Sequence, residues 1–391
     1  MKRSLPVLLA LAVAAQGGQS WRQEGSNWVY VEDGSACQNP VRVKVVADVR
    51  LSAEAGPSSG LSYAWTLRGP AAGRQEAQRR LQAADVKAVQ RGEWCVLTAL
   101  AHRSMLHDGG APAGELRVTL PAGVKECRLE TSSGSLRAKG LSGEIYAATG
   151  AGSIELHGLS GNVTARTGGG LITAGRVDGS LRCLSGGGNI KVDRVAREAV
   201  LESAGGEIYV GDAGGRLRLS TAGNIRVDNA AADVFAFTRG GLIDVARAGG
   251  TVTAENGSGG IQIGAARGVR CESGRGTIRL SGVSGSVRAT TAYGQVIVSL
   301  SAAQHLENSI LATGRGDITV SVPSNLAVTV KALNETARWA GQVVSEFSEI
   351  QARSQDVGAG LPVVAYGSLN GGGPVLMLST THGSIYLKRL R

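Results

Sequence analysis

A self-similar register of 17 or 18 residues runs through the middle of this 391-residue chain and constrains its fold more than any other feature. The segments CRLETSSGSLRA, IYAATGAGSIEL, VTARTGGGLITA, LRCLSGGGNIKV, AVLESAGGEIYV, LRLSTAGNIRV, VFAFTRGGLIDV, VTAENGSGGIQI, VRCESGRGTIRL and VRATTAYGQVIV align without effort. They begin at Cys127, Ile145, Val163, Leu181, Ala199, Leu217, Val234, Val252, Val269 and Val287. A second apolar anchor keeps the same beat, from Leu136 and Ile154 through to Ile278 and Val296. Such a period belongs to β-helical solenoids, in which each repeat covers its neighbour's apolar face.

Each copy reads apolar-x-small-x-Ser/Thr, then two or three residues, then Gly-x-apolar-x-apolar. Alternation with period two means strands, with the first and third residues facing inward. The spacing predicts an all-β parallel β-helix, or β-solenoid, with about 18 residues and two short strands per coil. The crossover preference favours a right-handed coil. At an inter-strand spacing of ~4.8 Å, ten coils would form a flattened rod roughly 45–50 Å long.

Two columns follow from the register. Cys183 and Cys271 share an inward column with Leu129, Ala147 and Ala165. Five coils separate those thiols, on the order of 24 Å, so they should be buried and free. The next column holds Thr131, Thr149, Thr167, Ser185, Ser203, Thr221, Thr238, Asn256, Ser273 and Thr291. Stacked hydroxyls there can satisfy backbone groups at the strand end; the alternative is a polar stripe that binds a ligand.

The flanks set the domain organisation. Lys2, Arg3 and the apolar run Leu5 to Val13 read as a signal peptide over residues 1–15, so export is expected. No later segment approaches the ~20 apolar residues of a membrane helix. Residues 16–121 should form a small strand-rich cap with one weak helix near RQEAQRRLQ, and 122–322 the solenoid. Residues 323–373, with Trp339 and Phe347, read as an excursion, partly helical or loop, that could cover one face; 374–391 supply the final solenoid strands. Caps are needed because terminal strands otherwise expose pairing edges. Export permits disulfides, and Cys37 and Cys95 are the natural pair among five cysteines; nothing assigns Cys127 a partner.

Glycine, at 58 residues, invites a ligand-binding reading. Yet no Gly-x-x-x-x-Gly-Lys-Ser/Thr string exists, and each glycine corner leads from strand to strand rather than into a helix, so phosphate cradling is rejected. Calcium rolls need a corner aspartate in each turn, which TGGGLI, SGGGNI and TRGGLI lack. Hexapeptide acyltransferase helices fail because the anchors recur every nine residues. The five histidines, at 102, 107, 157, 305 and 382, show no metal-ligand spacing, and no serine or cysteine has a catalytic partner. No cofactor and no metal are expected.

Three features remain. Glu255 and Glu272 fall in one outward column with Arg270 and Arg288 beside them, a spacing compatible with retaining glycoside chemistry or with a plain surface charge ladder. Leu184, Val200, Phe235 and Phe237 fall on outward positions of one sheet, as a contact surface or as the seat of a covering segment. Arg315-Gly316-Asp317 sits on a repeat corner, where turn chemistry already accounts for it. The net charge of +10 reads as outward arginine on strand faces, with attraction to anionic surfaces or polysaccharides as the rival; no nucleic-acid motif accompanies it.

The lead-in VTLPAG at 118–123, the glycine corners, GRGDITVSVP at 314–323 and LNGGGPVLMLSTTHGSIYLKR at 369–389 together resemble the bacterial exported β-strand-repeat family of adhesin-like proteins, of the auto-transporter adhesin head kind. The resemblance spans roughly residues 40 to 391. It implies a β-solenoid, a periplasmic, outer-surface or secreted setting, and no catalytic residues. The expectation is therefore a non-enzymatic structural or adhesive module whose partners are envelope or surface polymers or another protein. The alternative is a carbohydrate-binding or carbohydrate-cleaving β-helix using Glu255, Glu272, Arg270 and Arg288.

Overall fold

Strands of four to six residues, each followed by a tight corner, dominate the computed structural model, which describes residues 16–81, 84–101, 113–301, 306–335, 342–353 and 362–390. The expected signal peptide, Trp339 and His102, His107 and His305 lie outside those residues. The chain divides into two compact units, 1–191 and 192–391, and both are β-solenoids built by the same rule.

In each coil a first strand such as Val163–Thr167 or Val234–Thr238 buries its first, third and fifth residues. A second strand such as Ile172–Val177 or Ile243–Ala248 buries its first and third. Neighbouring coils pair in parallel at matching positions, Val163 with Leu181 and Val234 with Val252. The coil also has a short third side beyond the two strands expected. It adds one inward residue per turn, Leu159 and Val177 in the first unit and Ala213, Ala230 and Ala248 in the second. Its signal in the sequence is weak because a single buried residue sets no alternation.

The hydroxyl column is the internal frame of the stack. Thr149 Oγ1 donates to the Gly134 carbonyl of the preceding coil at 2.9 Å and accepts the Gly152 amide of its own corner at 3.1 Å. Thr167 repeats this with Gly152 and Gly170, and Thr238 with Gly223 and Gly241. Asn256 does the same through its amide, Nδ2 to Gly241 O and Oδ1 from Gly259 N. The side chains thus bond to corner backbone in two coils rather than to one another, and they are buried. A ligand stripe is not what these hydroxyls form. Where the repeat drops to 17 residues, Thr221 simply caps Gly223 two positions on, and Ile225 still aligns with Ile208 and Ile243.

Both ends depart from the expected boundaries. Arg42–Ala47 and Arg50–Gly56, placed in the cap by sequence, form a solenoid coil whose neighbours are the strands Glu126–Thr131 and Leu136–Lys139. Trp94–Ala101 and Ala113–Pro121 form a further coil on its other side. Chain order and stacking order therefore differ: Val43 sits between Cys95 and Cys127. Antiparallel strands Gly60–Pro70, Asn27–Gln38 and Gln16–Glu24 then extend one sheet, and Ala84–Arg91 closes the other. The cap proper is this meander with the helix Arg74–Leu81. A disulfide joins Cys37 to Cys95, with Cα atoms 6.0 Å apart, and links the two sheets there.

Strands account for most of the described residues of 323–373, where the sequence reads as an excursion, partly helical or loop. Val328–Asn334 and Val343–Ser345 make a terminal coil, backed by the antiparallel strands Val363–Leu369 and Gln351–Arg353. Residues 375–390, last in the chain, insert one coil inward, between Ser309–Pro323 and that terminal coil. The physical reason is plain in VTVKALN, whose Val328, Val330 and Ala332 are buried in strand alternation. Phe347 is buried beneath this end, with the Arg389 guanidinium 4.7 Å from its ring centre.

Candidate functional site

Outward positions of the first-strand sheet carry the chemistry left over once the frame is accounted for. In the second unit one outward column runs Val200, Arg218, Phe235, Thr253, Arg270, Arg288 by strand register. The adjacent column runs Glu202, Ser220, Phe237, Glu255, Glu272, Thr290. Phe235 and Phe237 stand 37% and 45% exposed on one strand, two residues apart and so on the same face. The Arg218 guanidinium lies 5.3 Å from the Phe235 ring centre, a cation–π contact. Around the rings Val200, Glu202, Arg218, Thr253 and Glu255 outline an open trough of about 420 Å³.

The strands Val328–Asn334 and Val343–Ser345 of the segment expected as a possible cover build the terminal coil, and both rings are exposed. Leu184 belongs to the first unit, where it lies half-buried beside Arg166 on the strand face. Val200 lines the trough itself.

Glu255 and Glu272 are direct register neighbours, as are Arg270 and Arg288, and all four are exposed. Adjacent strands set such carboxylates about 5 Å apart. The face is open, and Glu255 borders the aromatic trough while Glu272 stands one strand farther along. Arg315-Gly316-Asp317 is bound into the frame: Gly316 O accepts the Thr380 hydroxyl at 3.0 Å, and Asp317 Oδ1 accepts the Ser384 amide at 2.8 Å.

The thiols are equally occupied by structure. Cys127, Cys183 and Cys271 are free and buried, and burial pushes the first two up to about 12 and Cys271 higher still. They are small core residues rather than nucleophiles.

A second apolar surface escaped the sequence reading. Ile310, Met377, Lys331 and Tyr366 are consecutive outward neighbours across four strands, with Val364 beside them. Tyr366 is 57% exposed and Met377 45% exposed, and Lys331 Nζ lies 5.9 Å from the Tyr366 ring centre. These residues come together only because residues 375–390 insert before the terminal coil. The strand alternation of VVAYGSL was the available signal, masked by reading that stretch as an excursion.

No protein-family model matches the chain, and no curated protein matches it. Solved structures similar to it include a "putative cell adhesion protein" from Clostridium sporogenes, 8% identical over 92% of this chain and 99% of that one, with a TM-score of 0.18. They also include a "putative lipid binding protein" from Parabacteroides distasonis, 15% identical over 76% of this chain and 98% of that one, with a TM-score of 0.28. At these scores neither likeness carries weight beside the chain's own geometry. Among the described residues no helix is long and apolar enough to cross a membrane.

Proposed function

We propose that this chain is a non-catalytic, exported β-solenoid that works by surface contact, as an adhesive or structural module of the cell envelope. The observation that supports this most is the exposed Phe235–Phe237 pair on a parallel strand ladder. Aromatic side chains held at low conformational cost are what contact surfaces use as anchors. The leader expected over 1–15 supports the envelope setting.

The test is affinity capture of envelope components by the full chain, with F235S/F237S as the control. Exposed substitutions should leave thermal unfolding unchanged while capture is lost. Equal capture by the variant, or lost stability, would sink the contact reading. The rival reading, polysaccharide cleavage, draws on the Glu255–Glu272 neighbours beside the trough. Reducing-sugar release that E272Q abolishes would replace the first reading with the second.

A further inference from the structure

The corner that follows the first strand changes character along the second unit. Its outermost position is Gly205, Ala222, Gly240 and Ser258 in four coils, then becomes Arg275, Tyr293, Arg315 and His382 in the next four of the stack. Register places these last four as direct neighbours, Arg275 beside Tyr293, Tyr293 beside Arg315, Arg315 beside His382. All four are exposed, with Tyr293 at 50%. The Arg315 guanidinium lies 5.7 Å from the Tyr293 ring centre, and among the described residues no carboxylate pairs with either arginine.

The stripe is flanked by small residues, Gly274, Ala292 and Gly314 on one side and Gly276, Gly294 and Gly316 on the other, so its side chains stand clear as a ridge. Those glycines are required by the stack itself: a Cβ at Gly316 would sit 2.1 Å from the Gly294 carbonyl oxygen. Beyond them lie Thr277 and the exposed Gln295, groups that donate to and accept from hydroxyls. Of the acids on neighbouring strands, Asp317 accepts the Ser384 amide and Glu335 the Thr381 hydroxyl, while exposed Glu272 stands three residues before Arg275 on the outward strand face.

We propose that this ridge binds an acidic polysaccharide laid along the stacking direction. Arg275 and Arg315 are two coils apart, about 10 Å, which is close to one disaccharide of an extended chain. Alternate sugars bearing carboxylates thus meet successive guanidinium groups, and the sugar between them meets Tyr293 and Gln295. Arginine suits this because its planar fork takes a carboxylate through two parallel hydrogen bonds. A single-stranded nucleic acid fits less well, since it needs successive aromatic platforms and the ridge has one, already faced by Arg315.

The experiment measures binding of the full chain to polygalacturonate, with neutral dextran and an oligodeoxythymidylate as the other probes. Polygalacturonate should bind, weaken with added salt, and lose about tenfold in affinity in R275Q/R315Q. R239Q, an exposed corner arginine outside the ridge, and F235S/F237S should bind as the parent does, with all variants melting alike. Failure of F235S/F237S to capture envelope components while still binding polygalacturonate separates this site from the contact surface proposed above. No binding of polygalacturonate, equal binding of dextran, an undiminished R275Q/R315Q, or tighter binding of the oligonucleotide lost in the same variant would each overturn it.

Discussion

Two adjacent glycines of one corner give the sharpest test of why this chain is so rich in glycine. A Cβ on Gly170 would lie 2.1 Å from the Gly152 carbonyl oxygen, 2.5 Å from its carbon and 2.9 Å from the Ala151 oxygen, all backbone atoms. A Cβ on Gly169 would meet nothing within 4 Å. Carbon and carbonyl oxygen settle at ~3.3 Å or beyond, so Gly170→Ala forces neighbouring coils apart by about 1 Å. Overpacking of this kind costs up to about 3 kcal/mol, and here no side chain can swing aside. The same displacement strains the bond from Gly170 N to Thr167 Oγ1, at 3.0 Å, and that from Thr167 Oγ1 to Gly152 O, at 2.8 Å.

Gly170→Ala should therefore destabilise by about 3–4 kcal/mol. Gly169→Ala, whose backbone is not in the left-handed region, should be neutral or gain about 0.5 kcal/mol by restricting the unfolded chain. Urea unfolding followed by circular dichroism reads the difference. Amide exchange localises it, since loss of protection should centre on the strands Glu144–Thr149 and Val163–Thr167. If the two variants fall within 1 kcal/mol of each other, the corner relaxes freely and close backbone stacking is not what selects glycine there.

Other measurements follow from buried groups. The thiols of Cys127, Cys183 and Cys271 should resist alkylation in the native protein near neutral pH and react fully in denaturant, because burial denies them both access and the thiolate form. Tyr63 is pushed up to about 12 by burial and then by the charge of Glu32, and Tyr30 is raised further by burial and its hydrogen bond to Glu32. Folding favours their neutral forms, so that stability is intact below the ordinary value of 10.0 and falls as pH rises from there toward 12. Phenolate absorbance should show these two ionising well above the ordinary value of 10.0. Reducing Cys37–Cys95, which closes 58 residues of chain, should destabilise the N-terminal meander by about 4 kcal/mol on the loop-entropy argument, read as a lowered urea midpoint.

The middle of the fold was legible because three inward positions recur in every coil, and a residue out of register would land on the wrong face. Val163, Ala165 and Thr167 are fixed by what sits above and below them, and the same holds for Val234, Ala236 and Thr238. The ends are less legible for a local reason. VRVKVVADVRL and VTVKALN keep strand alternation but lack the glycine corner that marks a copy, so they read as cap and excursion although the first lies between two parallel coils.

The outward positions obey no such rule, and this is why the candidate site was only partly readable. Phe235 and Phe237 were visible as exceptions within regular coils. Tyr366, Met377 and Ile310 were not, because their adjacency depends on a stacking order that the chain order does not follow. In both units the chain skips a place and returns to fill it: Trp94–Ala101 and Ala113–Pro121 stack outside Arg42–Ala47 and Arg50–Gly56, and 375–390 slips inside Val328–Asn334 and Val343–Ser345. Antiparallel strands are laid against the outer coil of each unit, Gly60–Pro70 and Ala84–Arg91 in the first and Val363–Leu369 in the second. Every free strand edge in a parallel stack is a template for another chain, and edges built this way present polar strands such as Gln16–Glu24 or strands of three residues such as Val343–Ser345. The contacts proposed above accordingly use faces and corners, where the aromatic trough and the arginine ridge lie, rather than strand edges.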